Sequence, residues 1–245
     1  MKRQEKKARF GIHTDIHSHV LPAVDDGSTD ASESLQLLRG LSSLGFTRVF
    51  ATPHIKSGQF PNTRERLEIA FASFKEAATK IDTGIELHLA AEYYMDDNFG
   101  RMLDEGEPLL TLGDSTLVLV ETHMHQQPLY LFDLLFRIQS SGYRPILAHP
   151  ERYTYLDGKP DNYEHLKHSG CLFQVNLLSF AGYYGDNVRK TARMLAAKGM
   201  IDFAGTDLHS PKQLPLLEKL SPPKKLGKKC NLENDDIETG ANSSE

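Results

Sequence analysis

Two short histidine-containing segments place potential metal ligands at equal spacing. His17 and His19 lie two residues apart, and Asp207 and His209 repeat that spacing near the other end of the chain. In an extended strand, side chains two residues apart point to the same side. Each pair therefore predicts a place where two ligands converge on one ion.

Five more candidate ligands follow other predicted strands or accompany the first pair. They are His54, Glu92, Glu121, His149 and, in the turn-like sequence Asp25-Asp26-Gly27, Asp26. Imidazole and carboxylate groups together suit Zn, Mn or Fe. Nine candidates exceed the needs of one ion, so the sequence predicts two or three divalent ions.

The alternative for any single histidine is an ordinary hydrogen-bonded residue, and only the joint placement favours a metal site. Four histidines lack such context and are interpreted as structural or surface residues: His13, His88, His165 and His168. Four tyrosines are interpreted as packing residues: Tyr93, Tyr94, Tyr183 and Tyr184.

The elements that must position these ligands alternate between strands and helices. The strands are predicted at Gly11–His17, Thr47–Ala51, Glu86–Ala91, Ser115–Val120, Arg144–Ala148, Cys171–Val175 and Ile201–Ala204. The helices are predicted at Asp30–Leu44, Thr63–Ile81, Leu129–Ser141, Tyr163–His168 and Asp186–Lys198, with a short one at Tyr94–Leu103. This alternation predicts an α/β fold with parallel strands, either a barrel or a doubly wound sheet. In such folds, sites form at the carboxyl ends of the strands.

Composition excludes several classes of protein. The 245 residues carry a net charge of −5, which argues against nucleic-acid binding. No apolar run approaches the ~18 residues of a membrane span, and the basic start lacks the apolar stretch of a secretory signal. Two widely separated cysteines, Cys171 and Cys230, fit a reducing cytoplasm. From about Pro222 the pattern stops, so we expect an ordered region at 1–221 and a disordered tail at 222–245.

The motifs together resemble one superfamily over residues 12 to 215. They are Asp15-Ile16-His17-Ser18-His19, Pro22 with Asp25-Asp26-Gly27, Ala51-Thr52-Pro53-His54, Ala91-Glu92, Ala148-His149-Pro150-Glu151-Arg152-Tyr153 and Asp207-Leu208-His209. This set resembles the PHP (polymerase and histidinol phosphatase) superfamily, and within it the bacterial capsule-type protein-tyrosine phosphatases. The resemblance implies a distorted (βα)7 TIM-like barrel with three metal ions, usually Mn²⁺, at the carboxyl ends of its strands.

The resemblance also implies roles for individual residues. One ion is assigned to His17, His19, Glu92 and Asp207; a second to Glu92, Glu121 and His149; and a third to Asp26, His54 and His209. Arg152 matches an arginine that contacts the phosphate in relatives. A second arginine of the relatives is absent, and Lys212 is the candidate to replace it. His123 and His125 depart from the pattern and are candidates for a further ligand or a substrate contact.

The expected activity is hydrolysis of phosphotyrosine in a protein, with a bacterial tyrosine kinase tail as the implied substrate and capsule or exopolysaccharide synthesis as the setting. A metal-bridged hydroxide would attack phosphorus in line with the leaving phenolate. A cysteine phosphatase is improbable, because Cys171 lies in an apolar strand and Cys230 in the polar tail. A small-molecule phosphatase acting on an ester such as histidinol phosphate, a nuclease and a non-catalytic metal-binding protein remain as alternatives.

Overall fold

A computed structural model describes residues 8–223 and 226. The strands are β1 Thr14–Ser18, β2 Arg48–Ala51, β3 His54–Ile55, β4 Glu86–Leu89, β5 Glu92–Tyr94, β6 Leu117–Glu121, β7 Arg144–Ala148, β8 Leu172–Asn176 and β9 Phe203–Gly205. The helices are α1 Ala31–Ser43, α2 Arg64–Thr79, α3 Asp97–Asp104, α4 Leu131–Ser140, α5 Pro160–His168, α6 Leu177–Ala181, α7 Asp186–Ala197 and α8 Leu214–Lys219. Three 3-10 turns cover Pro150–Arg152, Thr154–Leu156 and Pro211–Gln213.

All paired strands are parallel, which confirms the predicted α/β class. One sheet has the order β1-β2-β4, and the other has the order β3-β5-β6-β7-β8-β9. The chain passes directly from β2 into β3 and from β4 into β5, so the two sheets share two continuous segments. At the far side, β1 approaches β9 through a parallel bridge between Ser18 and Leu208. The Asp207 amide also donates to the His17 carbonyl at 2.8 Å.

The strands bury both faces, as their near-continuous apolar sequences predict. In β6, Leu117 and Leu119 contact a small core cluster that includes Ile16, Phe50 and Ile146. Val118 and Val120, which alternate with them along the strand, belong to the larger core cluster that includes the leucines of α1. Glu121 lies two residues beyond Leu119, so its side chain faces the same way as the small cluster, at the carboxyl end of the strand.

The main differences from the prediction have local causes. Two short strands, β3 and β5, were not predicted, and the third predicted strand ends at Leu89 rather than Ala91. After β2 and again after β4 the chain leaves one sheet and resumes pairing in the other. Pro53, which has no amide hydrogen to donate, lies between β2 and β3. Helix α5 begins earlier than expected, at Pro160, whose fixed φ suits the first helical turn. The short helices α6 and α8 were not predicted. Apart from Pro222, Pro223 and Leu226, the predicted tail lies outside the described residues.

Candidate metal centre

The structure brings together all nine predicted ligands. Six lie at the carboxyl ends of β1, β6, β7 and β9, His54 and Glu92 begin the short strands β3 and β5, and Asp26 lies in the loop after β1. They fall into four overlapping clusters, in each of which one ligand atom per residue lies within 4.8 Å of the others. The clusters are His17, His19 and Glu92; His17, His149 and Asp207; His54, Glu92 and Glu121; and His19, Asp26, His54 and His209. In the three sets that the resemblance implies, only Glu92 is shared, whereas in the structure His17, His19 and His54 also each belong to two clusters.

Glu92 lies at the centre of this arrangement and is fully buried. Its Oε2 atom lies 3.1 Å from His17 Nε2, 3.4 Å from His19 Nε2 and 3.1 Å from His54 Nδ1. Its Oε1 atom lies 3.1 Å from His149 Nε2. One carboxylate therefore contacts four imidazole rings: two from the end of β1, one from the start of β3 and one from the end of β7.

The tautomers of three histidines are fixed by bonds on their outer sides. His17 Nδ1 donates to Gln174 Oε1 at 2.8 Å, and His19 Nδ1 donates to Asp25 Oδ2 at 2.8 Å. His209 Nδ1 donates to the Asp207 carbonyl at 3.0 Å. In the neutral form of each ring, Nε2 is then left with a lone pair facing the cluster. Such outer partners orient histidine ligands in metal sites, and they raise ligand basicity.

Several buried polar atoms at the centre lack a hydrogen-bond partner among the described residues. They include Glu92 Oε2, His54 Nδ1 and His149 Nδ1. Glu92 Oε2 and His54 Nδ1 lie only 3.1 Å apart, yet their geometry is not that of a hydrogen bond. Buried polar groups are rarely left unpaired. A cation between these atoms would satisfy them, so the donor set fits a metal centre.

The charge states of the site also suit cations. Burial alone would raise the pKa of Glu92 and of Asp207, but the surrounding histidines, His17 foremost, hold the pKa of both carboxyls well below their usual range. Burial lowers the pKa of His149, and the Arg152 guanidinium lowers it further, so this ring stays neutral. Burial, the largest single effect, lowers the pKa of His54, but Glu92, Asp26 and Glu121 together outweigh it and raise that pKa to about 10. Metal binding at His54 must therefore release a proton.

The backbone at two of these ligands adopts a conformation that favours glycine. His149 has a φ of 35° and Asp207 a φ of 52°, both directly beyond a strand end. Such residues cost roughly 1–3 kcal/mol each and cluster at functional sites. Close approach also explains Gly27, since a Cβ atom there would lie 2.4 Å from His19 Cβ.

Comparison with known proteins identifies the family. A family model described as "Capsular polysaccharide synthesis, CpsB/CapC" matches residues 13–232. The chain belongs to the CpsB/CapC family. This confirms the resemblance that the sequence motifs carry.

Individual relatives agree with this family. CapC of Staphylococcus aureus is 30% identical over 205 residues, covering 84% of this chain and 80% of its own. The tyrosine-protein phosphatase YwqE of Bacillus subtilis is 29% identical, covering 81% and 78%. A crystal structure also matches, at 29% identity. It comes from work on YwqE of Bacillus subtilis and CpsB of Streptococcus pneumoniae, which describes both as unique metal-dependent tyrosine phosphatases. Its TM-score is 0.76, and the match covers 82% of this chain and 81% of that one.

Arg152 lies beside the ligand cluster of this CpsB/CapC protein. Its Nη1 atom lies 3.0 Å from Asp207 Oδ2, and its guanidinium lies 4.3 Å from the centre of the Tyr184 ring. Tyr184 also contacts Asp207 through its hydroxyl group at 3.4 Å. Tyr184 therefore does more than pack, because it supports both Arg152 and a candidate ligand.

The other predicted substrate contacts lie farther out. His123 and His125 are exposed on the loop after β6. His123 Nδ1 accepts hydrogen bonds from the backbone amides of His125 and Gln126, and His125 Nδ1 lies 3.2 Å from Thr154 Oγ1. Lys212 is exposed on the last 3-10 turn. None of the three belongs to the ligand clusters found among the described residues.

A cleft of about 180 Å³ opens over the cluster. Besides seven of the candidate ligands and Arg152, it is lined by Lys56, Gln59, Phe60 and Met124. Sequence analysis missed all four. It also missed the orienting role of Asp25, which binds His19 and accepts the amide of His54 at 3.0 Å.

The remaining features agree with metal rather than thiol chemistry. Cys171 is buried, and burial raises the pKa of its thiol to about 12, so it holds no thiolate at neutral pH. Cys230 lies outside the described residues. Within residues 8–223 and 226, no helix combines the length and apolar character that crossing a membrane requires.

Proposed function

We propose that this chain is a metal-dependent protein-tyrosine phosphatase that acts in capsular or exopolysaccharide synthesis. The observation that carries the proposal is the environment of the buried Glu92 carboxylate, whose Oε2 atom lies within 3.4 Å of three imidazole nitrogens. The family of this chain contains proteins named as tyrosine-protein phosphatases, which supports the same interpretation. The substrate we propose is phosphotyrosine in a protein, with the tail of a bacterial tyrosine kinase as the specific partner and the cytoplasm as the location.

The proposed ligands are the nine clustered residues, and the proposed cofactors are three divalent ions, Mn²⁺ in the first place and Fe or Zn as substitutes. The carboxylates Asp26, Glu92, Glu121 and Asp207 bring four negative charges against the six positive charges of three such ions. The remaining charge of +2 attracts a phosphate ester. Imidazole and carboxylate ligands together suit these metals.

We further propose that the strands close into a distorted (βα)7 barrel. The support is the contact between the first and last strands, where the His19 amide donates to the Leu208 carbonyl at 2.9 Å and Ser18 bridges Leu208. Closure places all the strand ends in one ring, which is the arrangement that a site built from His17 to His209 requires. Residues 1–221 form this unit in the proposal, and 222–245 form its tail.

When bound by the clustered residues, divalent ions would lower the pKa of water to near neutrality and would offset the charge of the phosphate. Asp25 and Gln174 hold His19 and His17 in the tautomer that binds metal. Arg152 binds two phosphate oxygens, which carry the charge of the transition state. The leaving phenolate needs little assistance from an acid, because the pKa of tyrosine is only about 10.

The test is hydrolysis of a phosphotyrosine peptide by the full chain, with metal content measured on the same sample. We expect activity that is lost with EDTA, restored by Mn²⁺, and unchanged by iodoacetamide because Cys171 is buried. A phosphoserine peptide of matched sequence and histidinol phosphate serve as comparison substrates. Preference for histidinol phosphate would favour the small-molecule alternative, and a metal-loaded but inactive protein would refute the proposal.

A further inference from the structure

The loop between β3 and α2 forms one wall of the cleft. His54 begins it, and Lys56, Gln59 and Phe60 follow along the same lining. Lys56 and Phe60 pair as an antiparallel bridge, with both backbone hydrogen bonds at 2.9 Å. We call residues His54–Phe60 the cleft hairpin.

The cleft hairpin is held in place at its His54 end and near its tip. The Asn62 side chain donates to the His54 carbonyl at 2.8 Å, and the Ser57 amide donates to Asp96 Oδ2 at 3.0 Å. Gly58 turns the chain with a φ of +75°. In a pair with both backbone bonds, the two side chains project from the same face. Lys56 and Phe60 therefore reach the cleft together.

Lys56 carries a positive charge that no carboxylate of the described residues neutralises. Its side chain is half-buried, and its ammonium group lies 4.1 Å from the centre of the Tyr94 ring. Arg152, by contrast, is already paired with Asp207 at 3.0 Å. The cation available to an incoming anion at this wall is therefore Lys56, and Tyr94 holds it in a cation–π contact without cancelling its charge.

Phe60 gives the same wall an apolar surface. Its ring lies 5.3 Å from the ring of His54 at an interplanar angle of 10°, so it is stacked directly on a candidate ligand. Among the described residues that line the cleft, Phe60 and Met124 are the apolar ones. An aromatic leaving group beside the ions would find its packing surface at these two side chains.

We infer that the cleft hairpin recognises an aryl phosphate monoester, with Lys56 binding a phosphate oxygen and Phe60 packing against the aromatic ring of the leaving group. This inference rests on the proposed function and explains how the site prefers tyrosine phosphate to alkyl phosphates. It also assigns Lys56 to the phosphate contact for which the sequence suggested Lys212.

The first arm of the test removes the charge. Lys56→Ala should lower kcat/KM for phenyl phosphate by about tenfold or more, as expected for a charge-assisted hydrogen bond. Calorimetry with inorganic phosphate and the metal-loaded protein should show a similar weakening. Lys56→Arg should recover most of both losses. Lys75→Ala is the matched control, because Lys75 lies 5.5 Å above the Phe71 ring on α2, away from the cleft.

The second arm removes the ring but keeps the apolar side chain. Phe60→Leu should lower kcat/KM for phenyl phosphate by about threefold to tenfold relative to glycerol 2-phosphate, and it should leave the affinity for inorganic phosphate unchanged. Phe136→Leu, at an exposed phenylalanine on α4, is its control. Metal content and melting temperature are measured on every variant.

The outcomes separate the two proposals. If the metal-loaded wild-type protein hydrolyses neither ester, the proposed function fails, while the calorimetric arm still tests Lys56 as an anion contact. If the wild type is active and both cleft-hairpin variants match their controls, only the recognition role is overturned. Equal losses on both esters in Phe60→Leu would likewise overturn the role of the ring.

Discussion

Replacement of Glu92 by glutamine should damage the site more than any other single change of a ligand. The variant keeps the size of the side chain and one carbonyl oxygen but removes the negative charge. That charge lies within 3.4 Å of nitrogens from His17, His19, His54 and His149. No other candidate carboxylate among the described residues contacts as many imidazole rings; Asp207 contacts three, those of His17, His19 and His209.

The expected magnitude follows from Coulomb's law. Two unit charges 4 Å apart interact by about 4 kcal/mol at an effective dielectric constant of about 20, and a divalent ion doubles this value. The amide oxygen of glutamine retains part of the attraction, so we expect a net loss of about 4 kcal/mol. This corresponds to roughly a thousandfold weaker binding of the most affected ion.

Metal affinity and turnover are measured together. Glu92→Gln should bind fewer ions per chain by plasma emission spectrometry, and its kcat/KM should fall by at least a hundredfold. Glu86→Gln is the control, because Glu86 lies on the preceding strand segment with a side chain 60% exposed. Histidine resonances of the metal-free protein give an independent readout: the pKa of His54, raised to about 10 chiefly by Glu92 against the effect of burial, should fall.

Full metal content together with near-normal turnover in Glu92→Gln would show that the ions do not share this carboxylate. An unchanged His54 pKa would show in addition that the two side chains do not interact in solution. Either result would refute the arrangement argued above, whereas a loss of folding would also appear as a lower melting temperature of the metal-free variant.

Three further changes test other parts of the structure. Arg152→Lys should lower kcat/KM about tenfold with unchanged metal content, because lysine lacks the planar fork; unchanged kinetics would exclude Arg152 as a phosphate contact. Burial raises the pKa of Glu151 from 4.5 to about 7. The carboxyl therefore ionises less readily in the folded than in the unfolded protein, and the free energy of unfolding falls as pH rises from 4.5 to 7. Glu151→Gln should therefore raise the unfolding free energy of metal-free protein by up to roughly 3 kcal/mol at pH 8 and by nothing below pH 4.5, as measured by urea titration. A chain ending at Ser221 should keep full kcat but melt a few degrees lower, because it loses the partly buried Leu226; a loss of activity would show that the tail completes the site.

The positions of the candidate ligands were predictable because they depend on a short-range rule. A continuous apolar run such as Leu117–Glu121 fixes a buried parallel strand, and its first polar residue then lies at the carboxyl end. The same reasoning predicts His149 directly after β7 and Glu92 beyond the end of β4. Parallel alignment brings these ends together without any further information.

Lys56 and Phe60 were not predictable by this rule. Their joint approach to the cleft depends on a hairpin whose turn requires a positive φ at Gly58 and whose base is tied to Asn62 and Asp96. No hydrophobic periodicity marks such a segment. Asp25 was missed for a similar reason, since its contact with His19 depends on Gly27 letting the chain fold closely over that ring.

The contact between the first and last strands also bears on how the protein folds. Asp15 accepts a hydrogen bond from the amide of Thr206, 191 residues later in the chain. The Asp207 amide donates to the His17 carbonyl at the same contact between strands. Contacts of such long sequence separation form late and slow the folding of a chain. During synthesis, a chain that has not yet emerged through His209 lacks part of every cluster that contains Asp207 or His209. In the proposed metal centre, the full set of candidate ligands therefore exists only after the chain has been synthesised through His209.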